Sequence, residues 1–74
     1  MIAELDQVVL TRDVPAAKLK AGDVGTVVLV HRSGTAFEVE FMTLAGETVA
    51  VLTLETSDLR PIEPRELVHA RAAE

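Results

Sequence analysis

The chain has 74 residues, with 12 Asp and Glu against 7 Lys and Arg, a net charge of −5 with histidine neutral. Hydrophobic residues make up 49% and aromatic residues only 3%, and there is no Tyr, Trp or Cys. One domain is the sensible count, and a disulfide scaffold, a thiolate zinc site, an iron–sulfur cluster and a cysteine nucleophile are excluded.

Val8, Val9 and Leu10, following Leu5, make a first strand of β-branched type. A long, mostly polar excursion, Thr11 to Asp23, follows and closes at Gly22-Asp23; Pro15 fixes φ and removes a donor there. Val24 to Val30 is the strongest strand, and Gly25 inside it predicts a bulge, a sharp bend or a close backbone. Ser33-Gly34 signals a hairpin. Ala36 to Phe41 alternates, with Phe37, Val39 and Phe41 on one face and Glu38 and Glu40 on the other.

Ala45-Gly46 makes the next turn, and Thr48 to Leu54 the fourth strand. Glu55 to Asp58 suits a tight helical turn capped by Ser57 or Asp58. Leu59 to Ile62 is a short last strand, and Pro61 in it implies a strand end or a free edge. Residues 63–74 are good helix formers with a proline near the first helical position, but too few to be stable alone. This order predicts an all-β fold: a small five-stranded SH3-like barrel over 1–62 with a short helical or frayed appendage over 63–74. An OB-fold needs a helix between strands three and four, and the tight turn from Phe41 to Thr48 leaves no room for one.

A chain this short buries only about 60–65% of the surface its unfolded form exposes. That leaves little chain for a core plus a deep, walled pocket, so no enzyme is expected. Residues 1–59 hold four basic residues against nine acidic ones, while 60–74 balance three against three. An acidic body lacks the clustered cations that phosphate binding needs. It suits a basic protein partner, or simply solubility. The acidic start, Met1 to Asp6, does not read as an export signal. No apolar run reaches the roughly 18 residues of a membrane span. A cytoplasmic protein, with neither nucleic acid nor membrane as partner, is expected.

The apolar content exceeds what one face per strand can bury. Alternation puts Val24, Val28 and Val30 on one face of strand two and Val27 and Leu29 on the other. In strand four it puts Val49 and Val51 opposite Ala50, Leu52 and Leu54. The C-terminal segment, through Leu67 and Val68, a second copy or another protein must cover the surplus.

The chemistry-bearing residues read as surface. Glu38 and Glu40 share a strand face at roughly 7 Å, but no histidine is placed by spacing to make a site with them. His31 ends strand two, and His69 lies three residues after Glu66. Two isolated histidines do not make a zinc site, which takes three or four ligands. Asp6 and Asp13 suit turn and edge work. Ser57 has no base placed by spacing and reads as a cap. Gly22-x-x-Gly25 lacks the Lys and long loop of a nucleotide site. No catalytic, cofactor-binding or metal residue is expected.

The runs Glu4 to Leu10, Leu19 to Val28, Phe37 to Phe41 and Ala50 to Leu54 resemble a family of short bacterial proteins of unknown function with an SH3-like barrel. Some of its members are encoded beside toxin-like genes. The resemblance implies a non-enzymatic, antitoxin-like or regulatory partner of another bacterial protein. Gly22-x-x-Gly25-x-Val27 is also similar to KOW modules, which gives a nucleic-acid-associated barrel as the alternative, although such modules are usually basic. It is similar too to small SH3-like photosynthetic subunits, which dock through basic surfaces absent here. Without Tyr or Trp the aromatic groove of proline-binding SH3 domains cannot be built. The expected interface, in a homo-oligomer or a heterocomplex, comprises Val28, Val30, Glu38, Glu40, Leu52, Leu67, Val68 and Ala70.

Overall fold

Short apolar runs broken by turn residues favour a meander of hairpins. The computed structural model, which describes residues 1–31 and 34–73, is an all-β, five-stranded antiparallel open sheet. Its strands are β1 (Gln7–Leu10), β2 (Val24–His31), β3 (Ala36–Met42), β4 (Thr48–Glu55) and β5 (Leu59–Pro61). They lie in the order β4-β3-β2-β1-β5. The chain therefore runs outward from β1 to β4 and returns to pair β5 with the free side of β1, Leu10 opposite Leu59. Pro61 sits on that edge strand, where its missing donor leaves no gap in a ladder. The predicted Ser33-Gly34 turn lies partly outside the described residues; Gly34 adopts φ +88°.

One face of the sheet makes the core. Val8, Leu10, Val27, Phe37, Val39, Phe41, Leu54 and Leu59 point into it, and Leu19 of the long excursion closes it. Each such side chain contributes about 1.5–3 kcal/mol of burial. Leu19 arrives there because the excursion is folded, not loose. A single 3-10 turn spans Pro15–Ala17, and a bridge joins Val14 to Leu19. The excursion is closed by paired backbone bonds, Gly22 N–H to the Leu10 carbonyl and Leu10 N–H to that of Asp23. A second 3-10 turn, Thr56–Asp58, precedes β5. Its N-cap is Glu55, not Ser57 or Asp58, and the Asp58 carboxylate inside the turn accepts the Glu55 N–H at 3.0 Å. The Ser57 carbonyl instead accepts the Thr11 hydroxyl at 3.0 Å.

Two sequence expectations are corrected. The bulge in β2 lies between Val27 and Leu29, downstream of Gly25. Of the three alternatives at Gly25 the close backbone is the one seen: a Cβ there would stand 3.1 Å from the Glu40 carbonyl oxygen, and also 2.6 Å from Val39 Cγ1 and 2.9 Å from Phe41 Cε1. The appendage forms no helix over its described part, 63–73. One backbone bond, Glu66 N–H to Glu63 O at 3.2 Å, closes a single turn. Glu66 is held by Arg60, and Leu67 and Val68 remain 92% and 83% exposed. Nucleation is unfavourable when no apolar face rewards it. No helix among the described residues is long and apolar enough to cross a membrane.

Candidate functional site

The outer face of β2–β3–β4 carries the expected carboxylates. In β3, alternation sends Phe37, Val39 and Phe41 inward and leaves Glu38 and Glu40 outward. Glu38 stands opposite Leu29 of β2 and Thr53 of β4. One of its oxygens accepts the Thr53 hydroxyl at 2.5 Å and lies 2.8 Å from His31 Nε2. The Thr53 hydroxyl, and after it His31, hold the Glu38 carboxyl below its usual range. Glu40 accepts the Thr48 hydroxyl at 2.6 Å. Each carboxylate is thus fixed by a cross-strand partner on β4.

Aliphatic side chains surround them. Val28, Leu29, Met42 and Val51 are 42%, 44%, 47% and 52% exposed. This is a mixed surface with carboxylates fixed in place and aliphatic area left uncovered. Among the described residues no group of three or more His, Asp or Glu is placed to hold a metal ion.

The expected interface residues fall in three places. Val28, Glu38 and Glu40 lie on this outer face. Val30 and Leu52 do not: both are half-buried and pack against the core. For Val30 the bulge is the reason, since the extra residue reverses the alternation beyond Val27 and sets Val30 opposite inward-facing Phe37. Leu52 lies opposite Val39 and shares its side of the sheet. Leu67, Val68 and Ala70 belong to the C-terminal segment, where they line one groove with Glu40 but not with Glu38. Leu29, Met42 and Val51 lie on this face and are not among the expected interface residues. The bulge hid Leu29, whereas Met42 simply continues the alternation of Glu38 and Glu40.

The C-terminal segment forms a strap. Arg60 holds Glu66 through two bonds, Nη1 to Oε1 at 2.9 Å and Nη2 to Oε2 at 2.6 Å. Arg71 pairs with Asp23 through Nε at 2.9 Å and through Nη2, which also donates to the Lys18 carbonyl at 3.2 Å. Between these anchors the strap borders a groove of about 790 Å³ whose floor includes Val9 and Val24. Val9, between inward-facing Val8 and Leu10, lies on the outer side of β1 yet is only 4% exposed. Burial raises the Asp23 pKa, but Arg71 and the Lys20 N–H more than offset it and the carboxyl ends below its ordinary value. The Arg60 guanidinium and the Glu63 N–H bring Glu66 down to about 2.

Sheet and surface together define a small all-β domain in which Arg12–Asp58, His31–Glu38, Arg60–Glu66 and Arg71–Asp23 are paired. The chain belongs to the family described as a domain of unknown function, DUF4926, whose model matches residues 4–61. No curated protein matches the chain, and no solved structure does.

Proposed function

We propose that this protein is a non-enzymatic protein-interaction module on an SH3-like barrel, a cytoplasmic antitoxin-like or regulatory partner of another bacterial protein. The barrel reading draws support from the strand order, the long first excursion and the 3-10 turn before β5. The observation that carries the interaction reading is the outer face of β2–β3–β4, where Leu29, Met42 and Val51 stay exposed around Glu38 and Glu40. Exposed aliphatic area rimmed by polar groups is a feature of protein contact sites. Arg12, Arg60 and Arg71 are each engaged by a carboxylate of this chain, which favours a protein over a phosphate backbone as partner.

The test is affinity capture from the native host with the natural chain and with Leu29→Glu and Met42→Glu. A partner recovered by the natural chain and lost from both variants, with folding intact by circular dichroism, supports the reading. An identical set of recovered proteins from all three, or none from any, overturns it.

A further inference from the structure

The two edges of the sheet differ. β5 is three residues long and carries Arg60 and Pro61, the features with which proteins prevent a further strand from joining. β4 is neither short nor interrupted by proline, and its one irregularity, the register shift at Val49 opposite Phe41 and Met42, lies towards its start and leaves Ala50 to Leu54 regular. Thr48–Glu55 is eight residues long without proline, and no charge occurs from Thr48 to Leu54. Its outward Val51 is 52% exposed. Its inward Ala50 and Leu52 pack on the core but remain half-buried. An open backbone edge and an incompletely covered stretch of core therefore coincide on one strand.

We propose that β4 pairs antiparallel with β4 of a second copy of this chain about a two-fold axis at Val51, joining the two sheets into one. The proposal rests on the interaction-module reading above and names one partner and one surface for it. Directly opposed residues of an antiparallel pair share a sheet face, while neighbours along a strand do not. A two-fold pairing of identical strands must therefore set one residue against its own copy. Centring on Val51 overlaps the whole uncharged run. Val51 then meets Val51, and small Ala50 meets large Leu52. Centring on Ala50 or on Leu52 instead draws Glu47 or Glu55 into the ladder.

In this arrangement Glu47 of one copy and Glu55 of the other come near each other just beyond each end of the run. The pairing therefore tightens as salt screens them. A one-strand contact is smaller than the roughly 800 Å² per partner of a standard interface, so association depends on concentration.

The chain has no cysteine, so single thiols report the register directly. Opposed Cα atoms lie about 4.5–5.5 Å apart, inside the span of about 4.4–6.8 Å that a disulfide bridges. Residue 53 stands four positions from its own copy, roughly 14 Å. Under mild oxidation Val51→Cys is expected to give a covalent dimer and Thr53→Cys to stay single. In light scattering the natural chain is expected at twice its 8.0 kDa at high concentration, with the dimer fraction rising with salt. Val51→Lys, folded by circular dichroism, is expected as a single chain.

A natural chain that stays single at every concentration overturns the proposal. So does a Val51→Lys protein that associates as the natural chain does, or a Thr53→Cys protein that crosslinks as readily as Val51→Cys. A single chain that still captures a host protein removes this pairing and leaves the interaction reading in place. A dimer that captures nothing does the reverse.

Discussion

Gly25 shows how one residue type can be demanded by packing alone. Its backbone lies in the β region, so no positive φ explains it. The atoms that a Cβ would strike, Val39 Cγ1 and Phe41 Cε1, belong to side chains 0% and 2% exposed, with nowhere to retreat. Gly25→Ala is expected to cost about 1–3 kcal/mol through overpacking, read as a lower midpoint in urea at unchanged slope. At the same scale, the carboxyls of Asp23, Glu38, Asp58 and Glu66 all lie below their ordinary values in the folded chain. Groups depressed by folding stabilise above their unfolded pKa and lose that contribution as pH falls through the folded one. For Glu66 the window runs from 4.5 down to about 2. The melting temperature is expected to hold from pH 7 to about 5 and to fall below that. Glu66→Gln, which removes one titrating partner, should flatten the acid limb in thermal melts across that range.

At the scale of elements, the bulge in β2 decides which valines are core. Plain alternation puts Val28 and Val30 together on one face; the shift between Val27 and Leu29 separates them. Val28 is 42% exposed, while Val30 packs against the core. Val30→Thr should therefore cost about 1–3 kcal/mol for a hydroxyl brought against apolar neighbours. Val28→Thr should stay within about 0.5 kcal/mol. Equal effects in paired urea titrations would contradict the bulge. The strands themselves were legible. Phe37, Val39 and Phe41 alternate with two glutamates, and the run Thr48 to Leu54 is bounded by turn residues on both sides. The bulge was not legible, because Val-Gly-Thr-Val-Val-Leu-Val is apolar through the position where it forms, and an apolar run carries no mark of phase. The outer carboxylates could be read from β3 alone. Their fixing by Thr48 and Thr53 could not, because register across a hairpin is set by its turn.

For the whole molecule, the long excursion and the 3-10 turn before β5 brace each other across the sheet. Thr11 N–H bonds the Asp58 carbonyl at 2.9 Å, and Arg12 Nε meets the Asp58 carboxylate at 2.7 Å. The C-terminal strap is attached differently, through Arg60–Glu66 and Arg71–Asp23, with its own aliphatic side chains turned to solvent. Exposed ion pairs contribute about 0–1 kcal/mol each. A chain ending at Ile62 is therefore expected to keep its β-rich circular dichroism and to show only a small drop in its urea midpoint. It should also bind an apolar dye more strongly, because Val9 on the outer side of β1, 4% exposed in the groove the strap borders, is laid open. Loss of all structure on this truncation would show that the strap is part of the fold.

The sequence by itself determined the five strands, their turns and the inward set of β3, because period-two alternation and turn chemistry are local properties of the chain. It also determined the aliphatic surplus, a matter of composition. Only the tertiary structure decided where that surplus goes. A single inserted residue in β2 carried Val30 into the core and left Leu29 outside. The return of β5 to β1 left β4 as the long, uncharged edge. The would-be helix became a strap: two arginines of the chain drew Glu66 and Asp23 into ion pairs, and Leu67 and Val68 stay 92% and 83% exposed.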